Sequence, residues 1–386
     1  MDDIRQEFWG DLQADLYTVN SAVYLANQRL ETLISQTGYK AHKPILSHPA
    51  TGTYTAHSDI SFATKTATKQ TLTVDTFKYA AEDIDITEEK QNPYDLVQHS
   101  LQSIRKGLMN LVEQKFLSEI TNAGQSIQSG TAQTVSAVNI LDILEEAEGK
   151  LGAYDAPYET AMRALVLGPR TVAKLRRAKS DRESRLGDSV LENGIVGPWQ
   201  GWTVVQNNNL PWSATLTIAT QPTDGDTVTI AGVVFTFKTT LGSTAGNVLI
   251  GANAAAARAN LEAAVEGNSG SGSTYVELAN RDKFMLRRKR TVTCTSDEAM
   301  AFSGYGDISV SETLTAAADV WSAQQQKAGF MIRGAIDMVL QFIDLEIGSK
   351  EKGFAKLPKG IIGVGTKTFD DGADLMVQLV QDASAF

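Results

Sequence analysis

The sequence has little of what most catalysis and most membrane anchoring requires. Of 386 residues, one is cysteine, Cys294, and four are histidine. A single thiol excludes an intrachain disulfide framework and any zinc site built on several cysteines. No apolar run approaches the ~20 residues that a membrane-spanning helix needs. The first residues, MDDIRQEFWGD, are acidic and amphipathic, without the basic and apolar stretches of a secretory signal. Positive charge is also scarce: 35 Lys and Arg against 45 Asp and Glu leave a net charge of −10. A free nucleic-acid binder is usually basic, because its affinity comes largely from neutralising phosphates. This balance suits a protein that stays soluble at high concentration and does not adhere to nucleic acid. No GxSxG, HExxH or dinucleotide fingerprint occurs.

What is present is enough apolar text, 42% of residues, to build packed cores, with 21% charged. The length predicts two or three packed regions. From Asp3 to about Thr37, Ile4, Phe8, Leu12, Leu16, Val19 and Val23 step by three or four. Leu30, Leu33 and Ile34 extend the pattern, and Gly38 is a stop. Such a narrow stripe has no core of its own and must pack on another surface, which makes Phe8, Leu12 and Leu16 contact candidates. Residues 41–59 read as an extended, irregular arm. From Ile60 to Asp85, Thr-rich alternation through Phe62, Leu72, Val74, Phe77 and Tyr79 predicts a two-stranded β arm, and ATKTATKQ (63–70) is too polar to carry a core.

Asn92-Pro93 is a helix start, and apolar positions from Leu96 to Ile120 hold one face. A helix of about 29 residues would be ~43 Å long, a structural spine. Helices are predicted over 139–151 and 169–179, and strands over 164–167 and 202–206. From Ser213 the texture changes. Strands are expected at 215–218, 227–230, 233–238, 275–278, 284–286, 291–295 and 308–310, with an Ala-rich helix over 254–265 and a flexible loop at 267–273. About 110 residues thus form an α+β unit inserted into a second fold. Strands or helices over 328–347, then strands over 360–368 and 374–380, complete the chain. The expected division is 1–50 N-terminal arm, 51–86 β arm, 87–212 spine helix and first part of the body, 213–322 inserted unit, and 323–386 returning body.

This order resembles the major capsid proteins of tailed bacteriophages, the Hong Kong 97-type shell fold. Three stretches carry the resemblance: QTLTVDTFKYAAEDIDITEEKQ (70–91), similar to the return strand of the family's extended loop; ALVLGPRTVAKLRRAKS (164–180), similar to its strand-then-helix step; and GWTVVQNNNLP (201–211), similar to its glycine-led strand and turn. The family commonly has Pro where Trp202 or Thr203 stands. The resemblance covers about residues 1–212 and 323–386. It implies an α+β fold and a shell subunit, not an enzyme, with no cofactor. Pentamers and hexamers would close an icosahedral lattice around double-stranded DNA. The family often has a long N-terminal scaffolding segment that a protease removes. The short arm here departs from that pattern and predicts a separate scaffolding protein and no N-terminal cleavage. A portal protein, a decoration protein and assembly in the host cytoplasm before residence in the virion capsid are further implications of the resemblance. Lys65 and Lys69 lie where some members carry a cross-linking lysine, although loop lysines commonly serve solubility. Alternatives are an encapsulin-like compartment, a tail protein, and a cytoplasmic hydrolase or transferase with a convergent polar pocket.

Other features have plainer readings. His42, His48 and His57 fit no metal spacing, and His99 falls between apolar positions of the spine helix. Gly363–Thr368 lacks the phosphate-loop spacing. Glu88-Glu89 and Glu145-Glu146 read as solvated faces. Of two basic runs, Arg287–Arg290 reads as a solvated face or as a contact with DNA or with acidic neighbours. The run of Arg170, Lys174, Arg176, Arg177, Lys179, Arg182 and Arg185 is assigned to ion pairs between subunits, with Arg176 and Arg177 as contact candidates.

Overall fold

The computed structural model describes residues 22–30, 39–46, 51–62, 64–91, 95–154, 156, 162–180, 201–349 and 353–384. The predicted N-terminal stripe, with Phe8, Leu12 and Leu16, lies outside these residues. What is described of that region is a single 3-10 turn, Val23–Leu25.

The spine helix runs Leu96–Ser118, 23 residues, and continues as a 3-10 turn, Glu119–Asn122. It is shorter than expected because Asp95 caps it, its side chain accepting the Gln98 N–H at 3.1 Å. Ile104, Leu108, Val112 and Phe116 recur every four residues and are all buried, so one stripe faces inward. That stripe lies on a sheet of two 14-residue antiparallel strands, Ile336–Ser349 and Ala355–Thr368, with Thr76–Ala81 on the second strand's other edge. Close approach there depends on Gly360, where a Cβ would stand 2.9 and 3.1 Å from Ile104 and Leu108.

The β arm differs from its expected form. Ala67–Thr73 pairs with Lys40–Leu46, whereas Thr76–Ala81 belongs to the spine sheet. Residues 41–46, expected as irregular, are thus one strand of the arm. Pro44 is tolerated because this ribbon, two-stranded among the described residues, leaves each strand an edge without a ladder partner. Ile60 and Phe62, expected in a strand, lie in a segment without regular structure.

The body is an eight-stranded sheet. Its long strand Trp321–Ile332 pairs with Met376–Asp382, Arg163–Leu167 and Pro211–Thr217. Arg163–Leu167 is buried at every position, as the unbroken apolar run Ala164–Leu167 predicts for its last four. Helices Ile140–Gly152 and Pro169–Ser180 stand close to their expected bounds.

Residues 212–308 and Ala383 hold a second apolar cluster, distinct from that of the body. Thr227–Ile230 and Val233–Lys238 form a hairpin, and Asn253 and a left-handed Gly267 bound the helix Ala254–Glu266. Phe284–Leu286 is not a strand but the start of a π-helix, Phe284–Lys289. Tyr275–Leu278 is not a strand either, although Val276 exchanges backbone hydrogen bonds with Gly246 and Asn247. A short apolar run does not distinguish helix from strand. Ala299–Tyr305, with strict alternation of exposed and buried positions, is a strand that the sequence reading passed over.

Candidate assembly surfaces

The arm carries several exposed apolar groups, Phe62 the most exposed of all the large ones described. Residues 51–62 are exposed throughout, and within them Tyr54 is 66%, Ile60 64% and Phe62 93% exposed. Among the described residues, no element covers them. Lys65 and Lys69 are also exposed, Lys69 standing opposite Pro44 in the ribbon.

A second surface is the spine sheet's outward face. Tyr79 sits directly opposite Ile361, and Phe77 opposite Gly363, so the three apolar side chains form one stripe by strand alternation. Tyr79 is 79% exposed. Beside it, Lys359 and Glu346 pair across the strands. Phe354, also exposed, lies beyond the stripe at the sheet's far end.

The spine helix carries a buried polar joint. Glu113, fully buried on the spine helix, accepts the Ala22 N–H at 2.7 Å, Asn207 Nδ2 at 2.8 Å and Asn209 Nδ2 at 2.6 Å. Burial raises its pKa above the usual carboxylate range, while those three donors oppose the shift. A buried carboxylate with a shifted pKa invites a catalytic reading. Here its oxygens face amide donors that tie the N-terminal segment, the spine and the Asn-rich turn together, so its role is structural. Glu119 does similar work, accepting Thr366 Oγ1 and the Thr368 N–H at 3.0 and 3.1 Å. Sequence reasoning missed both.

The basic runs divide. In 287–290, Arg287 donates to the carbonyls of Ala264 and Val265 and pairs with Glu277, capping a helix end. Arg290 is buried against Asn208 and the Tyr305 carbonyl. These two are structural, contrary to a solvated face or a DNA contact; Arg288 is exposed. In the other run, Arg170 pairs with Asp307 at 2.5 Å and Lys174 donates to the Val135 carbonyl at 2.8 Å. Both tie the helix to its own chain. Arg176 and Arg177 are exposed on that helix.

The remaining features stay separate. His42 contacts Thr71 Oγ1 at 2.9 Å and His57 is exposed. His48 lies outside the described residues. No group of three metal-ligating side chains occurs among the described residues, and no described helix is long and apolar enough to cross a membrane. Gly363–Thr368 is strand, not a loop before a helix. Glu89 and Glu146 are paired, with Lys356 and Lys150. An open cleft between the spine helix's end and the second core is lined by Ser118, Thr121, Ser213, Thr291, Ser303, Tyr305, Lys327 and neighbours, without a carboxylate, imidazole or thiol.

A model of the phage capsid protein family matches residues 69–247. No curated protein sequence matches the chain significantly. Among solved structures, a chain from Mycobacterium phage Che8 shares 13% identity at a TM-score of 0.56, covering 93% of this chain and 90% of that one. The capsid of cyanophage P-SCSP1u shares 13% identity at a TM-score of 0.53, covering 94% and 89%. The fold is thus the Hong Kong 97-type shell fold, and residues 69–247 of the chain match the phage capsid protein family.

Proposed function

We propose that this chain closes an icosahedral shell of pentamers and hexamers around double-stranded DNA by laying its arm on a neighbouring copy. The observation that carries the reading is the arm itself: Tyr54, Ile60 and Phe62 are exposed on a segment with no core. Covering each on a neighbour would contribute about 1.5–3 kcal/mol. Every subunit gives and receives such a contact, so a closed lattice multiplies it. The acidic balance fits a wall that does not bind its packaged DNA tightly.

The finer assignments belong to the same reading. A separate scaffolding protein guides assembly in the host cytoplasm, and a portal protein and a decoration protein join the shell. The segment 213–322 is an inserted unit that projects outward, where its bulk does not obstruct closure. Arg176 and Arg177, exposed on their helix, pair with acidic groups of a neighbour.

Negative-stain microscopy of the purified chain, alone and with its neighbouring genes, tests the reading. Uniform polyhedral shells that protect double-stranded DNA are the expected result. A stable monomer under both conditions would overturn it, and protein cargo in place of DNA would make the shell a cellular compartment.

A further inference from the structure

The roots of both arms meet over one carboxylate. Asp337 lies at the start of the strand Ile336–Ser349, with its side chain 3% exposed. From the N-terminal segment, Asn27 Nδ2 donates to Asp337 Oδ1 at 2.7 Å. The Asn27 backbone brackets the same residue, its N–H donating to the Ile336 carbonyl at 2.8 Å and its carbonyl accepting the Met338 N–H at 3.0 Å. From the arm strand, Lys43 Nζ reaches both Asp371 oxygens, at 2.7 and 3.0 Å. It stops 3.8 Å from Asp337 and lies 5.0 Å from the centre of the Phe369 ring. The charged groups on the packed elements are therefore Lys43 on the arm strand and Asp371 on the short helix Asp370–Ala373. Lys367 stands opposite Asp337 on the paired strand, and Arg29 is exposed on the N-terminal segment. Beneath them, Ala41, Leu72, Val74, Val339 and Phe369 form a small core of their own.

We infer that Asp337 is a proton-operated latch: protonated, it seats both arm roots on the body, and ionised, it loosens them. Lys43 is committed to Asp371, so ionised Asp337 is a buried charge that, among the described residues, one amide and a more distant ammonium compensate. Opening either root admits water to it and relieves that burial. A proton removes the burden and leaves Oδ1 free to accept from Asn27. Burial first, then the Asp371 charge, pushes the Asp337 pKa up to about 6 against the pull of Lys43 and Asn27. The sign follows: a carboxyl that binds its proton more tightly when docked favours docking at low pH. That preference is lost as pH rises from about 4 through about 6. The latch concerns this chain's own arm roots and rests on the capsid reading only for its consequence, that acid stiffens the roots of the parts that reach neighbours.

Hydrogen exchange of the full chain at pH 5 and pH 7.5, corrected for intrinsic rates, tests it. In the wild type, the N–H groups of Asn27, Met338 and the non-proline residues of 40–46 should open about ten-fold more often at pH 7.5. Asp337→Asn should stay closed at both values. Asp371→Asn should move the midpoint down and Lys43→Met should move it up, because one removes a like charge and the other an opposite charge. This pair decides the matter even if Asp337→Asn misfolds. A step that survives Asp337→Asn, no step in the wild type, or midpoints moving the same way would overturn the latch. Shell formation, scored separately by microscopy, bears on the proposed function and not on the latch.

Discussion

Glu113 holds the backbone N–H of Ala22, a residue 91 positions earlier, at 2.7 Å. Removing the carboxylate strands that N–H and leaves the Asn207 and Asn209 side-chain amides short of an acceptor. Glu113→Ala should therefore destabilise the chain by about 2–4 kcal/mol in denaturant unfolding. Glu113→Gln keeps the shape but turns a donor toward donors, and about 1–3 kcal/mol is expected. Because burial raises the Glu113 pKa, its ionisation subtracts stability as pH rises through the folded value, and that component should vanish in Glu113→Gln.

The arm root closes against a glycine. A Cβ on Gly365 would stand 2.5 Å from the Thr73 carbonyl oxygen and 2.9 Å from the Val74 Cα, both backbone atoms that cannot rotate away. Gly365→Ala should cost about 1–3 kcal/mol and raise hydrogen exchange in 67–73 more than in the body. Equal protection in both regions would count against a tight root.

The exposed arm residues separate assembly from folding. Replacing Tyr54, Ile60 and Phe62 together by Ser should leave circular dichroism and the unfolding midpoint unchanged within about 0.5 kcal/mol. Shells should be lost in light scattering and microscopy. Normal shells from this variant would move the main contact to the Phe77, Tyr79 and Ile361 stripe.

Arg176→Ala with Arg177→Ala should likewise leave stability near wild type and reduce shell yield, most visibly at raised salt, because exposed ion pairs are individually weak and screened. Particles formed normally from this variant at every salt concentration would remove the proposed contact.

Where the sequence was a good guide, the signal was local. Thr227–Ile230 and Val233–Lys238 fall where alternation put them, since Ala231 and Gly232 between them both take positive φ, as a tight hairpin demands. The run ALVL, short and followed at once by Gly168-Pro169, reads as a strand buried on both faces, and it is one. Pairing over distance was not legible: nothing in KAHKPIL names TLT as its partner, and the intervening text is as polar as the ribbon. Met300 and Phe302 were diluted by Ala and Gly neighbours, so their alternation went unseen. Glu113 looked like one more charge on a long helix. Its burial is set by amides 94 and 96 positions away, which periodicity does not reveal.

The strand Trp321–Ile332 belongs to two cores at once. Its first half pairs with Pro211–Thr217 beside the second apolar cluster, and its second half lies between Arg163–Leu167 and Met376–Asp382 in the body. A bulge between Ser322 and Gln325, with Ala323 at φ 48°, marks the passage. Mechanically this is a continuous load path. A force along that strand is borne by its ladder in shear, with many hydrogen bonds sharing the load, instead of unzipping a linker one bond at a time.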